Sequence, residues 1–394
     1  MSKLPLEGVR VVEMSHMVMG PACGMVLADL GADVIKVEPL KGDGTRHLPG
    51  AGAGFFRIFN RNKKSIAVDM NSAAGQEAVL ALIDTADVFI ENFRPGRMTE
   101  LGLGFDSLHT RNPRLIYVSH KGFLNGPYEK RLALDEVVQM MGGLAYMTGP
   151  VGQPLRAGSS VNDIMGGMFG AIGVLAALLE RDRTGEGKEI HSGLFENCVL
   201  LSGQHMQQYA VTGQAPAPMP SRISAWSVYD VFKFSGGEQM FVAATGDGQW
   251  DALCRILGQD ALLSDPSLAT NAMRVENRPR LLAQLGEIFA TLDAKTLAVE
   301  LELNGIPFAA IRKPEELFDD PHLQASGGLA SLQLDDGSQT QVPLLPLSYG
   351  GKRLQPRQSL ACVGEHTFEV MKSLGYGDAQ IASLQAEGIF RMGK

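Results

Sequence analysis

Short blocks of β-branched residues alternate with longer stretches in which apolar side chains recur every three or four positions, and this alternation gives the first picture of the chain. Residues 8–13, 34–38, 65–69, 88–91 and 115–119 have the texture of strands. Residues 21–30, which Gly31 ends, and residues 73–84 have helical spacing. Strand and helix taking turns in this way predict an α/β fold, an open parallel sheet with helices on both faces. Ligands of such sheets sit beyond the carboxyl ends of the strands, so the loops after Glu13, Glu38, Glu91 and Ser119 are where chemistry is expected. The turn 15–21 runs into a helix N-terminus, a place suited to a phosphate or nucleotide. It lacks the G-x-G-x-x-G spacing, which removes the main support for a nicotinamide-dependent enzyme.

Near Gln207 the pattern changes. Gly213, Pro216, Pro218 and Pro220 mark a linker or stiff loop. Beyond it, strand-like runs at 227–232 and 239–244 flank Ser235-Gly236-Gly237, and helical patterns follow at 250–257, 278–290 and 294–304. The expected organisation is a large domain over 1–210, a linker over 211–225, a smaller α+β domain over 226–328, and a segment over 329–394 that ends in helices near 368–374 and 379–386.

Composition narrows the function. A chain of 394 residues has room for a sizeable core and two domains. Its net charge of −8 and the absence of a long Lys/Arg run argue against a nucleic-acid partner. Cys23, Cys198, Cys254 and Cys362 stand far apart, without zinc or redox spacing, and read as reduced core thiols; no metal is expected. With no leader-like N-terminus and no apolar run long enough to span a bilayer, the expectation is a cytoplasmic protein without a membrane partner.

Asp163 is the most informative single residue. It stands where an extended segment turns into a helix marked by Ile164, Met168, Ile172, Leu175 and Leu179. The helix N-terminus favours an ionised carboxylate there, which suits a nucleophile; the plain alternative is that Asp163 only caps the helix. Gly166, Gly167, Gly170 and Gly173 lower helix propensity just after it, so a ligand or another helix must approach closely. Elsewhere, the turn 91–97 carries Arg94 and Arg97 and suits either a phosphate or a tight turn, and His16 is either a base or a structural hydrogen-bonding group. No metal-ligand spacing and no G-x-S-x-G elbow occur.

Taken in order, several segments resemble the family III CoA-transferases, the group that includes formyl-CoA transferase and carnitine CoA-transferase. They are Gly20-Pro21 with residues 27–38, residues 62–65, 91–96 and 112–117, Gly126-Pro127-Tyr128, and the Asp163 helix ending at 183–187. Asp265-Pro266, Asn271 with Arg274, Gly305-Ile306-Pro307 and Gly364-Glu365-His366-Thr367 continue the likeness. The resemblance implies a Rossmann-like large domain built from both ends of the chain, a small domain between, and an interlocked homodimer. It implies that Asp163 attacks an acyl-CoA thioester and that CoA passes to a free carboxylic acid through an aspartyl anhydride and an aspartyl-CoA thioester. No tightly bound cofactor is implied; the coenzyme A thioester is substrate. By the same match, Met17, Val18 and Met19 would line the CoA path, and Asn92 and Phe93 would contact it. Basic positions of formyl-CoA transferase fall on Pro39 and Glu100, with Arg97, Arg94 or Lys41 as substitutes. Donors for a developing oxyanion would come from a glycine loop such as Ser235-Gly236-Gly237. A second carboxylate on the acceptor would be received near Arg222, Trp226 and His47, unless Arg222 pairs with a surface acid. Two alternatives remain: a 2-methylacyl-CoA racemase, whose histidine would fall on Leu134, and a catalytically silent CoA-binding protein.

Overall fold

Val11 and Val12, Val34 and Ile35, and Val88 and Phe89 point to opposite faces of their strands, and all six are buried, as a sheet covered on both sides requires. The computed structural model describes residues 4–334 and 336–393. It divides into two units, Met1–Pro220 with Pro321–Lys394, and Ser221–Asp320.

The larger unit runs through β1 (Arg10–Met14), α1 (Met19–Asp29), β2 (Asp33–Glu38), β3 (Lys63–Val68), α2 (Ala73–Asp84) and β4 (Val88–Glu91). It continues with α3 (Phe105–Arg111), β5 (Ile116–Lys121), α4 (Asp135–Met141), α5 (Val161–Thr184), β6 (Glu189–Gly193) and α6 (Leu194–Thr212). The smaller unit holds β7 (Val228–Lys233), β8 (Gln239–Ala244), α7 (Asp247–Ile256), α8 (Arg278–Phe289), α9 (Ala294–Leu303) and β9 (Phe308–Ala310). The chain then returns to the larger unit with the hairpin β10 (Leu329–Gln333) and β11 (Gln339–Pro343), then α10 (Thr367–Ser373), α11 (Asp378–Ala386) and β12 (Phe390–Arg391).

In the larger unit the sheet order is β12-β3-β2-β1-β4-β5-β6; β1 to β6 are mutually parallel and β12 is antiparallel to β3. The expected parallel α/β sheet is present. Chain order reverses between β1 and β4, and a crevice is expected beyond the carboxyl ends of those two strands. One face is covered by Val79 and Leu82 of α2, Leu108 of α3, Val370 of α10 and Ile381 of α11, the other by Leu27 of α1 and Val174 of α5. The smaller unit packs an antiparallel sheet, β7-β8-β9, around Trp250, Leu281, Leu285 and Phe289. The sequence reading does not foresee α6, which runs unbroken past Gln207 to Thr212 and stops at Gly213, whose φ of 68° is left-handed.

Gly166 and Gly167 of α5 face α1, whereas Gly170 faces His120 of β5 and Gly173 faces Ile190 of β6. A Cβ on Gly166 would lie 2.2 Å from Met19 Cε, and one on Gly167 would lie 2.7 Å from the Met19 carbonyl oxygen and 2.9 Å from Cys23 N. The close approach read from the sequence is therefore made by a helix and two strands of the same chain. Gly167→Val is expected to destabilise the fold by about 1–3 kcal/mol, because the obstructing atoms are backbone; urea denaturation checks it.

One expectation changes here. Among the described residues, α5 is long and apolar enough, by length and composition, to cross a bilayer. Asp163 and the glycines that follow it break the apolar pattern of the sequence at the start of this helix. One side of α5 is buried through Ala171, Val174 and Ala177, while Met168, Phe169, Ile172 and Leu179 are exposed.

Candidate active site

At the crevice, the loop from β1 into α1 meets the loop after β4. Asn92 ties them together, its Oδ1 accepting from His16 N at 3.0 Å and its Nδ2 donating to the His16 carbonyl at 2.7 Å. Phe93 sets its ring edge-on to His16 at 5.4 Å. Met17 is held at φ 62°, a conformation that costs energy for a residue with a side chain; its N–H donates to Thr45 Oγ1 at 3.2 Å. Burial lowers the His16 pKa, with Lys36 adding to the effect and Asp43 opposing it.

Two adjoining cavities share His16, Met17 and Phe93. One, of about 420 Å³, lies over Lys36, Glu38, Pro39, Asp43 and Thr45. The other, of about 300 Å³, is lined by Met19, Asn92, Arg94, His120, Lys121, Arg131, Leu134, Asp135 and Asp163, among others. Of the residues expected at the CoA path, Met17, Met19, Asn92 and Phe93 are thus brought together with Asp163. Val18 is not: its side chain is 1% exposed and packs with Ala22, Met25 and Phe59. Arg97 lines neither cavity, and its guanidinium pairs with Glu100 at 3.1 Å. Glu100 also takes Arg94 at 2.8 Å. His47 is exposed and lines neither cavity.

Below the crevice lies a buried layer of charge. Glu13 bridges Lys36 at 3.2 Å and Lys63 at 2.7 Å; Lys36 also meets Asp43 at 3.1 Å, and Glu38 pairs with Arg46 at 2.7 Å. Burial pushes the Lys63 pKa down to about 8, helped by Lys36 and opposed by Glu13. Gly24 leaves room for Glu13, since a Cβ there would lie 1.8 Å from Glu13 Oε2.

Asp163 occupies the first turn of α5, half-buried, and does not cap it. The capping role belongs to Asp135 of α4, whose Oδ2 accepts from Asn162 N at 2.8 Å and Asp163 N at 3.0 Å. The Asp163 side chain is left to the cavity. Its ionisation departs from the sequence expectation: burial first, then the Asp135 charge, raise its pKa to about 7. The helix N-terminus is worth about 0.3–1 kcal/mol, less than one pKa unit, and is outweighed.

Sequence reasoning names the loop after Ser119 but misses His120. That imidazole is 3% exposed, neither ring nitrogen has a hydrogen-bond partner, and burial lowers its pKa to about 4. Gly170 makes room for it; a Cβ there would lie 2.5 Å from His120 Cε1. In the smaller unit, the amides of Ser235 and Gly237 are already spent, donating to the carbonyls of Leu292 at 3.1 Å and Phe234 at 2.9 Å. Trp226 packs on Tyr229 at 4.9 Å. Among the described residues, no group of three or more His, Cys, Asp or Glu side chains is arranged to hold a metal ion.

Comparison with known proteins adds to this geometry. Residues 6–367 match the family described as CoA-transferase family III. The succinate–glutarate CoA-transferase of Agrobacterium fabrum is 35% identical over 94% of this chain and 96% of its own length. The formyl-CoA:oxalate CoA-transferase of Rhodopseudomonas palustris is 32% identical over 97% and 96%. A CAIB/BAIF family protein from Brucella suis superposes with a TM-score of 0.85 at 33% identity, covering 95% of this chain and all of that one (100%).

Proposed function

Because the chain belongs to CoA-transferase family III, we propose that Asp163 is the nucleophile that carries CoA from an acyl thioester to a free carboxylic acid. The protein is a CoA-transferase. The observation that carries the proposal is the division of labour at the start of α5: Asp135 holds the helix amides, and the Asp163 carboxylate faces the cavity shared with His16, Asn92 and Phe93.

Asp163, ionised, attacks the thioester carbonyl, and the C–S bond breaks to give an acyl-aspartyl anhydride and CoA thiolate. The thiolate attacks the aspartyl carbonyl, releasing the donor acid and leaving an aspartyl-CoA thioester. The acceptor carboxylate displaces the thiolate to form a second anhydride, whose acyl carbon the thiolate then takes. The Asp163 carboxylate is regenerated. No tightly bound cofactor enters these steps; the CoA thioester is substrate, and Met17, Met19, Asn92 and Phe93 supply its walls.

The acceptor is a small organic acid, and a dicarboxylate fits best. The relatives are named for succinate, glutarate and oxalate, and Arg131 lines the cavity that holds Asp163 together with Lys121, which lies 3.5 Å from Glu91, and Arg94, which is paired with Glu100. The assembly is a homodimer, interlocked and built on Rossmann-like large domains. The exposed Met168, Phe169 and Ile172 of α5 and Leu200, Met206 and Tyr209 of α6 support it, since apolar surface of this extent is normally covered. Its place is the cytoplasm. The racemase reading lacks its second base, for Leu134 stands on the cavity rim where that base would be.

Hydroxylamine added to enzyme incubated with succinyl-CoA should convert Asp163 to its hydroxamate, detected by peptide mass spectrometry. A modified enzyme lacking any adduct at Asp163 removes the nucleophile assignment. With the Asp163 pKa at about 7, kcat/KM is expected to rise about tenfold per pH unit below that value and to level off above it, because only the ionised form attacks.

A further inference from the structure

Gln139 lies on α4 one turn beyond Asp135, is wholly buried, and has both ends of its amide in use. Its Nε2 donates to Asp135 Oδ1, and its Oε1 accepts from Ala157 N at 2.7 Å. The other Asp135 oxygen receives the amides of Asn162 and Asp163. A continuous path therefore runs from the segment before α5, through Gln139 and Asp135, to the backbone of the nucleophile. Arg156, paired with Glu136 of α4, fastens the same segment from outside.

A helix start offers several unpaired N–H groups, and an acidic residue in the first turn readily folds back onto them. Asp163 is such a residue, so it competes with Asp135 for the amides at its own helix start. If it won, its carboxylate would be turned from the cavity and spent on a cap. Asp135 prevails only while its carboxylate is held in one rotamer, and the donor that holds it is Gln139.

We propose that Gln139 is a positioning residue for CoA transfer: by fixing Asp135 as the cap of α5 it keeps the Asp163 carboxylate turned toward the substrate. This rests on the assignment of Asp163 as nucleophile. The titratable and charged groups that line the cavity with that carboxylate are His16, Arg94, His120, Lys121, Arg131 and Asp135. None of them touches the Gln139 amide except Asp135.

Two variants separate the ends of the amide. Gln139→Met keeps the length and volume and removes both hydrogen bonds; Gln139→Glu keeps an acceptor for Ala157 N and, at alkaline pH where both carboxyls are ionised, loses the donor to Asp135. Both are expected to lower kcat by about 10²-fold, the size of a misplaced reacting group, with KM for succinyl-CoA unchanged. In Gln139→Met the acid limb of the kcat profile should move to lower pH, because the Asp163 carboxylate gains amide donors that favour its charged form. Packing loss alone would lower the unfolding temperature and leave that limb in place. Wild-type kcat in Gln139→Glu at alkaline pH, or a reduced kcat with an unmoved limb in a folded Gln139→Met, overturns the proposal. Hydroxylamine trapping on the wild-type enzyme is the separate control: failure there removes the nucleophile assignment itself, whatever the variants do.

Discussion

Asp163→Asn is expected to lower kcat for CoA transfer by on the order of 10⁴–10⁶, the loss that follows removal of a covalent nucleophile. An amide of the same shape cannot form the anhydride. The same substitution is expected to raise stability at neutral pH, because it removes a carboxylate that burial and Asp135 both resist ionising. The sign follows from proton binding. The folded state holds its proton up to about pH 7 whereas the unfolded chain releases it near 3.8, so the Asp163 contribution favours folding at low pH and is lost as pH rises through 7. The stability gain of Asp163→Asn should therefore grow between pH 5 and pH 8. Thioester exchange followed at saturating succinyl-CoA, together with urea denaturation across that range, measures both effects. Retained exchange in the variant would refute covalent transfer through this residue.

The second large effect concerns the floor of the crevice. Glu13→Gln is expected to destabilise the protein by about 3–5 kcal/mol, since it strips the shared partner from two buried ammonium groups. Burial pushes the Glu13 carboxyl up, but Lys63 and Lys36 overcome it and hold the pKa below the ordinary glutamate value. Without that charge, Lys36 keeps Asp43 and the Ser15 carbonyl, whereas Lys63 keeps the carbonyl oxygens of Pro21 and the Asn60 side chain. Lys63 is the weaker point, already depressed to about 8 in the wild type, and should lose its proton first in the variant. Denaturation of the two proteins side by side gives the difference; an unchanged midpoint would mean that the layer relaxes around the amide.

Much of this architecture is legible in the residue pattern because a doubly covered strand must be apolar on both faces. The runs 34–38 and 88–91 announce β2 and β4 for that reason, and 73–84 announces α2 by its spacing. Asp163 is legible too, through its place at a helix start. What periodicity cannot reveal is partnership. Glu13, Lys36 and Lys63 look like the outward polar residues of ordinary strands, and only the parallel pairing of β1, β2 and β3 makes them one buried network. Asp135 supplies the cap of α5 from 28 residues upstream, which no local signature records. His120 follows an apolar run with nothing to mark it as enclosed. The expected ionisation of Asp163 failed for the same reason, because the helix terminus is a local property and burial beside a second carboxylate is not.

The outer edge of β3 has a consequence for how the polypeptide reaches its native state. That edge is closed by β12, and Ala67 N donates to Thr367 Oγ1, 300 residues further along. During synthesis, β3 leaves the ribosome long before its neighbour exists, and the whole smaller unit is translated in between. For that interval the nascent chain presents an unsealed ladder of amides and carbonyls, the kind of surface that recruits stray strands. The yield of folded protein is therefore expected to fall when the C-terminal segment that covers this edge is delayed or removed.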